Sequence, residues 1–338
     1  MFKTNQIGYT CVYAPREIFH ALGLTPVRAF GSAEAPDVAT SYVHPNLCGY
    51  VKNIVNACQG QDMVFVDSCT QMKRIQDVWD YFFQGSFSYL LNLPRISTPE
   101  SQAFWIESLQ EMIATLEGVL GRKLEPERLR EAIRAYNALG RELGKLEALL
   151  LANQIPASQY LALVYQAQRQ DVGTGLEQVQ AFLAKTPPGG NGEVAPIRLL
   201  VSGSIIAGLE LARTIEANEA NAVYFDTCCT SRAYQDLVDE ELEPFEALAR
   251  KYLGQVPCPR MKSSFERFER LREIVEANQI QGVVYHTLKF CDSAIYESHP
   301  FKELLEEREI PVLRIESEYD FKMPGQMSTR IQAFLEML

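Results

Sequence analysis

The chain lacks any stretch approaching the ~20 consecutive apolar residues that a helix needs to cross a bilayer. Its N-terminus, MFKTNQIGYTCVYAPRE, also lacks the apolar core of a signal peptide. These two absences predict a cytoplasmic protein. Basic charge is scarce as well, since 32 lysines and arginines stand against 43 aspartates and glutamates, for a formal net charge of −11. We therefore expect neither nucleic acid nor an anionic membrane as a partner.

Histidine is rare, and the common catalytic motifs are missing. No two of the four histidines have the i, i+4 spacing of a helical metal site, so a His-ligated catalytic metal is not expected. G-x-S-x-G, Walker A and G-x-G-x-x-G do not occur between a strand and a helix. The segment VSGSIIAG at 201–208 comes closest and could hold an anion on free N–H groups, but we favour tight strand-to-helix packing there. If ATP is used, a separate protein must hydrolyse it.

A length of 338 residues favours two domains, and the sequence pattern divides in the same way. In residues 1–97, the apolar runs LTPVRAF, MVFVDS and FSYLLNL alternate with helical patterns near 46–58 and 71–83. This rhythm predicts βαβ units and a parallel sheet. Residues 98–190 instead predict a helical layer, which begins at a cap on Ser97 or Thr98 followed by Pro99. Its second helix carries an apolar stripe: Leu129, Ile133, Tyr136, Leu143, Leu146 and Leu150.

Strand patterns return in residues 191–338. The four strand candidates are IRLLVSGS, NAVYFDT, QGVVYHTL and PVLRIES, and the predicted helices lie near 208–218, 236–253, 265–278 and 299–308. The proline- and glycine-rich segment KTPPGGNGEVAP at 185–196 is the predicted linker. The fold class expected is α/β, with two parallel-sheet domains and a helical layer between them.

The eight cysteines are the strongest functional signal. Cys69, the doublet Cys228–Cys229 and Cys291 all follow strand ends, where ligands of open parallel sheets collect. Cys48 and Cys58 stand at the two ends of one predicted helix, ~15 Å apart, too far for one iron but within reach of two ends of a larger cluster. We interpret Cys11 and Cys258 as buried structural residues. The spacing is not CxxC, yet thiol-rich cytosolic sites favour zinc or iron–sulfur, and the pattern favours an iron–sulfur site.

The resemblance to a known family spans nearly the whole chain. The segments YVHPNLCGYVKN, VFVDSCTQMKRIQDVW, LVSGSIIAG, FDTCCTSRAY, LARKYLGQVPCPRM and GVVYHTLKFCDS carry it. Together they resemble the 2-hydroxyacyl-CoA dehydratase and benzoyl-CoA reductase family. That resemblance implies two flavodoxin-like domains, an attached helical layer, and an iron–sulfur cluster in the cleft between the domains.

The resemblance also implies a ligand set and a partner. Three cysteines of the dehydratase subunits hold one 4Fe-4S cluster with one iron left open, and they match Cys48, Cys69 and Cys291 here. An ATP-dependent activator with its own 4Fe-4S cluster supplies the electron. The additional Cys58, Cys228 and Cys229 resemble the double-cubane branch of the family, whose 8Fe-9S cofactor supports low-potential reduction of small molecules. Cys258 could replace one member of the doublet.

Three hypotheses follow. The first is a reductase component with a double-cubane cluster on Cys48, Cys58, Cys69, Cys228, Cys229 and Cys291, acting on a small molecule in anaerobic metabolism. The second is a (R)-2-hydroxyacyl-CoA dehydratase subunit with a single 4Fe-4S cluster, and the third is a non-catalytic electron carrier or cluster-storage protein. A homodimer is expected from general frequency alone. Tyr285 and His286 are weak candidates for proton donors, although core packing is the simpler interpretation of both.

Overall fold

The computed structural model describes residues 4–186, 189, 194–206, 208–319 and 322–338. Within these residues the chain forms two four-stranded, all-parallel sheets with helices packed around them, which confirms the predicted fold class. Much of the predicted linker at 185–196 lies outside the described residues. None of the described helices is both long enough and apolar enough to cross a membrane.

The N-terminal sheet has the strand order β2-β1-β3-β4. Its strands are β1 (Gln6–Tyr9), β2 (Thr25–Arg28), β3 (Met63–Val66) and β4 (Ser88–Leu91). The helices of this part are α1 (Arg16–Ala21), α2 (Gly49–Ala57) and α3 (Thr70–Phe82). All four residues of β3 are buried, as expected for a parallel strand covered on both faces. Strand β1 was not predicted, because four residues with one glycine give little periodic signal.

Long helices follow, as the sequence predicts for 98–190. They are α4 (Pro99–Leu120), α5 (Pro126–Leu151), α6 (Ala157–Ala167) and α7 (Val172–Lys185). Thr98 caps α4 by accepting a hydrogen bond from the Ser101 N–H at 3.2 Å, and Pro99 occupies the first turn. Every residue of the predicted α5 stripe is buried. The domain boundaries at 97 and 190 stay a prediction.

The C-terminal sheet has the strand order β6-β5-β7-β8. Its strands are β5 (Ile197–Gly203), β6 (Ala220–Asp226), β7 (Gly282–Leu288) and β8 (Val312–Ser317). The helices are α8 (Glu210–Glu216), α9 (Pro244–Gly254), α10 (Glu266–Ala277), α11 (Asp292–Glu306) and α12 (Gly325–Leu335). The predicted start of α11 at 299 is wrong, because the helix begins at Asp292 and contains Pro300 in its interior. A proline normally marks a helix start or stop, which misplaced the boundary.

The strand ends of the two sheets meet at one place. Loops after β1, β3, β5, β6 and β7 all contribute to the wall of the same cavity. Gly203 ends β5 with φ +119°, and a Cβ there would lie 2.0 Å from the main-chain oxygen of His286. Only glycine fits this close crossing, which holds the β5 and β7 ends side by side at the cavity.

A cysteine-lined cavity between the two sheets

We call this space the cysteine cavity, because thiols from six separate positions contribute to its wall. Its volume is about 130 Å³, whereas a single buried water needs only ~10–15 Å³. The six cysteines are Cys11, Cys48, Cys69, Cys228, Cys258 and Cys291. They come from both sheets, so the two halves of the chain must fold together to form the cavity.

The first group of thiols consists of Cys48, Cys69 and Cys291. Each occupies the position directly before a helix, at the start of α2, α3 and α11, respectively. Free N–H groups and the positive end of the helix dipole favour a thiolate at such positions. Gln71 ties the three segments together, since its Oε1 accepts from the Cys48 N–H and its Nε2 donates to the Phe290 carbonyl, both at 2.6 Å.

Hydrogen bonding separates the acidities of this group. A hydrogen bond from the Cys48 thiol lowers the pKa of Cys291 to about 6, and the Ser204 hydroxyl lowers it further. The same bond, together with burial, raises the pKa of Cys48 well above its ordinary value. Burial raises the pKa of Cys69, while Met72 and Gln71 N–H groups and the Cys291 thiol act on it to a smaller extent. Cys291 is therefore a thiolate near neutral pH and accepts the proton of its neighbour.

The second group consists of Cys11, Cys228 and Cys258. Arg28 Nη2 donates a hydrogen bond to Cys228 Sγ at 3.4 Å. A hydrogen bond from the Cys229 thiol lowers the pKa of Cys228 to about 5, with Arg28 and Arg232 acting in the same direction.

The other two thiols of this group are less acidic. Burial raises the pKa of Cys258 to about 12, and it raises the pKa of Cys11 too. Both thiols interact electrostatically with Cys228. The second group therefore resembles the first, with one acidic thiol beside two that hold their protons more tightly.

The wall of the cysteine cavity is positively charged. Arg28, Arg232 and Arg260 line it against a single carboxylate, Asp292. Arg28 is only 2% exposed, its Nε has no hydrogen-bond partner, and among the described residues it forms no ion pair with a carboxylate. Burying an unpaired charge is costly. The cavity is thus suited to a group of high negative charge.

Two predicted ligand residues lie apart from the cavity. Cys58 ends α2 at the opposite end from Cys48 and does not line the cavity. Cys229 is fully buried, with its Sγ 3.1 Å from Thr227 Oγ1 and 3.8 Å from the Tyr165 hydroxyl. In their place the structure brings in Cys11 and Cys258, which we expected to be structural. The ligand role of every cysteine stays a prediction.

Tyr285 and His286 also lie outside the cavity wall. The Tyr285 hydroxyl donates to Glu297 Oε2 at 2.9 Å, within a buried network that includes Arg267. His286 Nε2 lies 2.8 Å from Ser317 Oγ, and burial lowers the pKa of His286 to about 4. These contacts fit the packing interpretation, and nothing places either side chain against the thiols.

The donor set fits an iron–sulfur cluster in its chemistry. Thiolates are the ligands that such clusters use, and a dry, cationic wall offsets their negative charge. In the part of the chain that the structure describes, no three His, Cys, Asp or Glu side chains converge closely enough to hold one metal ion. The six thiols are instead distributed around a space of several atoms.

Fold and cavity together define an α/β protein of two parallel sheets whose strand ends enclose a thiol-rich site. The family model described as 2-hydroxyglutaryl-CoA dehydratase, D-component, matches residues 11–338, and the chain belongs to this family. This confirms the resemblance seen in the sequence.

Relatives in the family carry names from more than one reaction type. YjiM of Escherichia coli (strain K12), described as a candidate dehydratase subunit, is 27% identical over 98% of this chain and 91% of its own length. The (R)-phenyllactyl-CoA dehydratase beta subunit of Clostridium sporogenes is 24% identical over 100% and 93%. A benzoyl-CoA reductase subunit of Thauera aromatica is 23% identical over 91% and 84%. The matched proteins are thus subunits of dehydratases and of a reductase.

Proposed function

We propose that this protein is the iron–sulfur component of a two-component reductase. It would hold a double-cubane cluster in the cysteine cavity, accept electrons from an ATP-hydrolysing activator, and reduce a small molecule. The ligands would be Cys48, Cys69 and Cys291 for one half of the cluster and Cys11, Cys228 and Cys258 for the other. This set replaces Cys58 and Cys229 of the sequence-based hypothesis with Cys11 and Cys258.

The observation that carries the proposal is the arrangement of six thiols as two groups of three around one cavity. Three thiolates leave one iron of a cubane without a cysteine ligand, and a sulfide bridging two such cubanes would complete both. When bound, such a cluster supplies electrons at low potential. A single cubane would need only the first group and would leave the second without a role.

The chain's own residues would prepare the site. Helix N-termini and Arg28 favour the thiolate forms, and burial of the surrounding strand ends keeps water out. Gln71 fixes the relative positions of the Cys48 and Cys291 loops through its two hydrogen bonds. The thiols are therefore preorganised on the starts of helices rather than on freely moving loops.

The partner follows from family membership together with the sequence. The D-component of a two-component dehydratase implies a separate activator. Because the sequence has no Walker A motif, ATP hydrolysis would belong to that activator.

The alternative is a (R)-2-hydroxyacyl-CoA dehydratase subunit with one 4Fe-4S cluster on Cys48, Cys69 and Cys291. Its support is specific, since the family model and two relatives carry dehydratase names. In that case Cys11, Cys228 and Cys258 would bind no iron, and their replacement would leave the iron content intact.

Paired cysteine variants separate the two proposals. After anaerobic purification, Cys258→Ser should lower the iron content from about eight to about four per chain, because the second group loses a ligand. Cys58→Ser is the matched control, being another buried cysteine outside the cavity, and it should retain about eight. If Cys58→Ser loses iron while Cys258→Ser retains it, the ligand set proposed here is wrong.

A further inference from the structure

A second, open cleft adjoins the cysteine cavity. This outer cleft has a volume of about 370 Å³. Its wall consists of Asp67, Cys69, Thr70, Lys73, Arg95 and Arg260. Cys69 and Arg260 also line the cysteine cavity, so these two side chains stand between the two spaces. A molecule in the outer cleft would therefore lie directly beside the first group of thiols.

The outer cleft carries an excess of positive charge. Lys73 Nζ lies 2.9 Å from Asp67 Oδ2, and Arg95 Nη2 lies 3.3 Å from Asp67 Oδ1. Asp67 is the single carboxylate in this wall and is shared by two cations, while Arg260 adds a third. The cations come from α3, from the loop after β4 and from the loop after α9. Separate segments thus bring three cations to one face.

Arg260 is the least satisfied of the three. Its Nε is buried and has no hydrogen-bond partner. Its guanidinium acts electrostatically on Cys69. A buried N–H donor without an acceptor is unfavourable, and an oxyanion or carboxylate accepts from a guanidinium with matching geometry. The free donor therefore indicates an anionic ligand at the boundary of the two spaces.

We infer that the outer cleft binds an anionic group of the substrate and that Arg260 holds this group beside Cys69. The ligand class is a compact oxyanion or carboxylate, or the phosphate of a larger substrate. This inference rests on the proposed function, since it places the anion at the entrance to the cluster site. Lys73 and Arg95 attract the anion, and Arg260 provides the hydrogen bonds that orient it.

Charge-selective alkylation tests the inference without any need for activity. In the metal-free full-length chain, Cys69 is treated with anionic iodoacetate and with neutral iodoacetamide, and both rates are read by mass spectrometry of its peptide. The ratio of the two rates cancels the thiolate fraction. Compared with free cysteine, the ratio should be higher by about tenfold, because a cleft lined by cations concentrates anions. The excess should shrink at high salt.

Matched variants identify the cation responsible. Arg260→Gln should lower the ratio at least about threefold, whereas Lys262→Gln, an exposed cation two residues away, should leave it unchanged. Inorganic phosphate should slow alkylation of Cys69 by both reagents in wild type and much less in Arg260→Gln. Protection by coenzyme A at far lower concentration than by phosphate would assign the anion to a larger phosphate-bearing substrate, and equal protection would assign a compact anion. Either result supports the site.

A ratio equal to that of free cysteine, with no protection by phosphate or coenzyme A, would overturn the inference. Iron content after anaerobic loading is measured on the same preparation. A chain that loads iron but shows no charge selectivity contradicts only the anion site, and a chain that shows selectivity but loads no iron contradicts only the proposed function.

Discussion

Arg28 offers the sharpest test of what the cavity is built to hold. The guanidinium is 2% exposed, donates to Cys228 Sγ at 3.4 Å, and stacks over the Tyr9 ring with its Cζ 5.5 Å from the ring centroid. No other side-chain hydrogen bond of Arg28 is formed among the described residues. The perturbation is Arg28→Met, which keeps much of the side-chain volume and removes the charge.

The expected effect has opposite signs in the metal-free and the loaded protein. In the metal-free chain the buried Arg28–Cys228 pair disappears and the thiolate takes up a proton. Replacing a buried ion pair by apolar groups is often neutral or stabilising by about 1–4 kcal/mol. In the loaded protein the thiolate must persist. A charge pair at 3.4 Å contributes roughly 5 kcal/mol at an effective dielectric of 20, so loss of Arg28 should weaken iron retention by about 2–5 kcal/mol.

Two measurements check this prediction. Thermal unfolding of the metal-free chain should show Arg28→Met as stable as wild type or more stable. Iron remaining after a chelator challenge should fall toward about half in the variant, because the second group of thiols is weakened first. Arg28→Lys, which keeps a charge, should recover part of the iron. A variant that unfolds several degrees earlier without metal, yet keeps all its iron, would show that Arg28 serves the fold and refute the reasoning.

Three further predictions concern the scaffold. Gly203→Ala should lower the free energy of unfolding by about 3 kcal/mol or more, measured in urea, because its Cβ would meet the His286 oxygen at 2.0 Å with φ at +119°; a smaller loss would contradict the close crossing. Burial lowers the pKa of His286 from 6.5 to about 4, so the unfolded chain gains a proton that the folded chain refuses. The free energy of unfolding should therefore fall by about 3 kcal/mol as pH drops from 6.5 to 4, and His286→Gln should lack this loss. Leu146→Ala, at a fully buried position of α5, should cost about 2–5 kcal/mol of unfolding free energy, and an unchanged melting temperature would contradict the packing described.

Local periodicity was enough to predict most of the fold. The four apolar runs of the C-terminal half became β5 to β8, and the stripe on α5 is buried as expected, because both signals are repeated over many residues. The cap at Thr98 was visible for the same reason, since proline and a hydroxyl mark a helix start within a few residues. The start of α11 was missed because Pro300 lies inside the helix.

The site was only partly predictable, because tertiary contacts decide which thiols meet. Cys11 follows β1, so its strand-end position was hidden once that short strand was missed. Cys258 follows α9 rather than a strand and is held by long-range contacts, including its N–H to the Tyr13 hydroxyl at 3.2 Å. Cys229 differs from Cys228 in the direction of its side chain, which adjacency in sequence does not determine. Cys58 is separated from Cys48 by the length of α2.

The most direct test of the central claim is the amount of iron and acid-labile sulfide per chain after anaerobic purification. The account predicts about eight irons and about nine sulfides, with all six cavity cysteines protected from alkylation. About four of each would contradict the double cubane and support the single-cluster dehydratase subunit. Zinc without iron would contradict both.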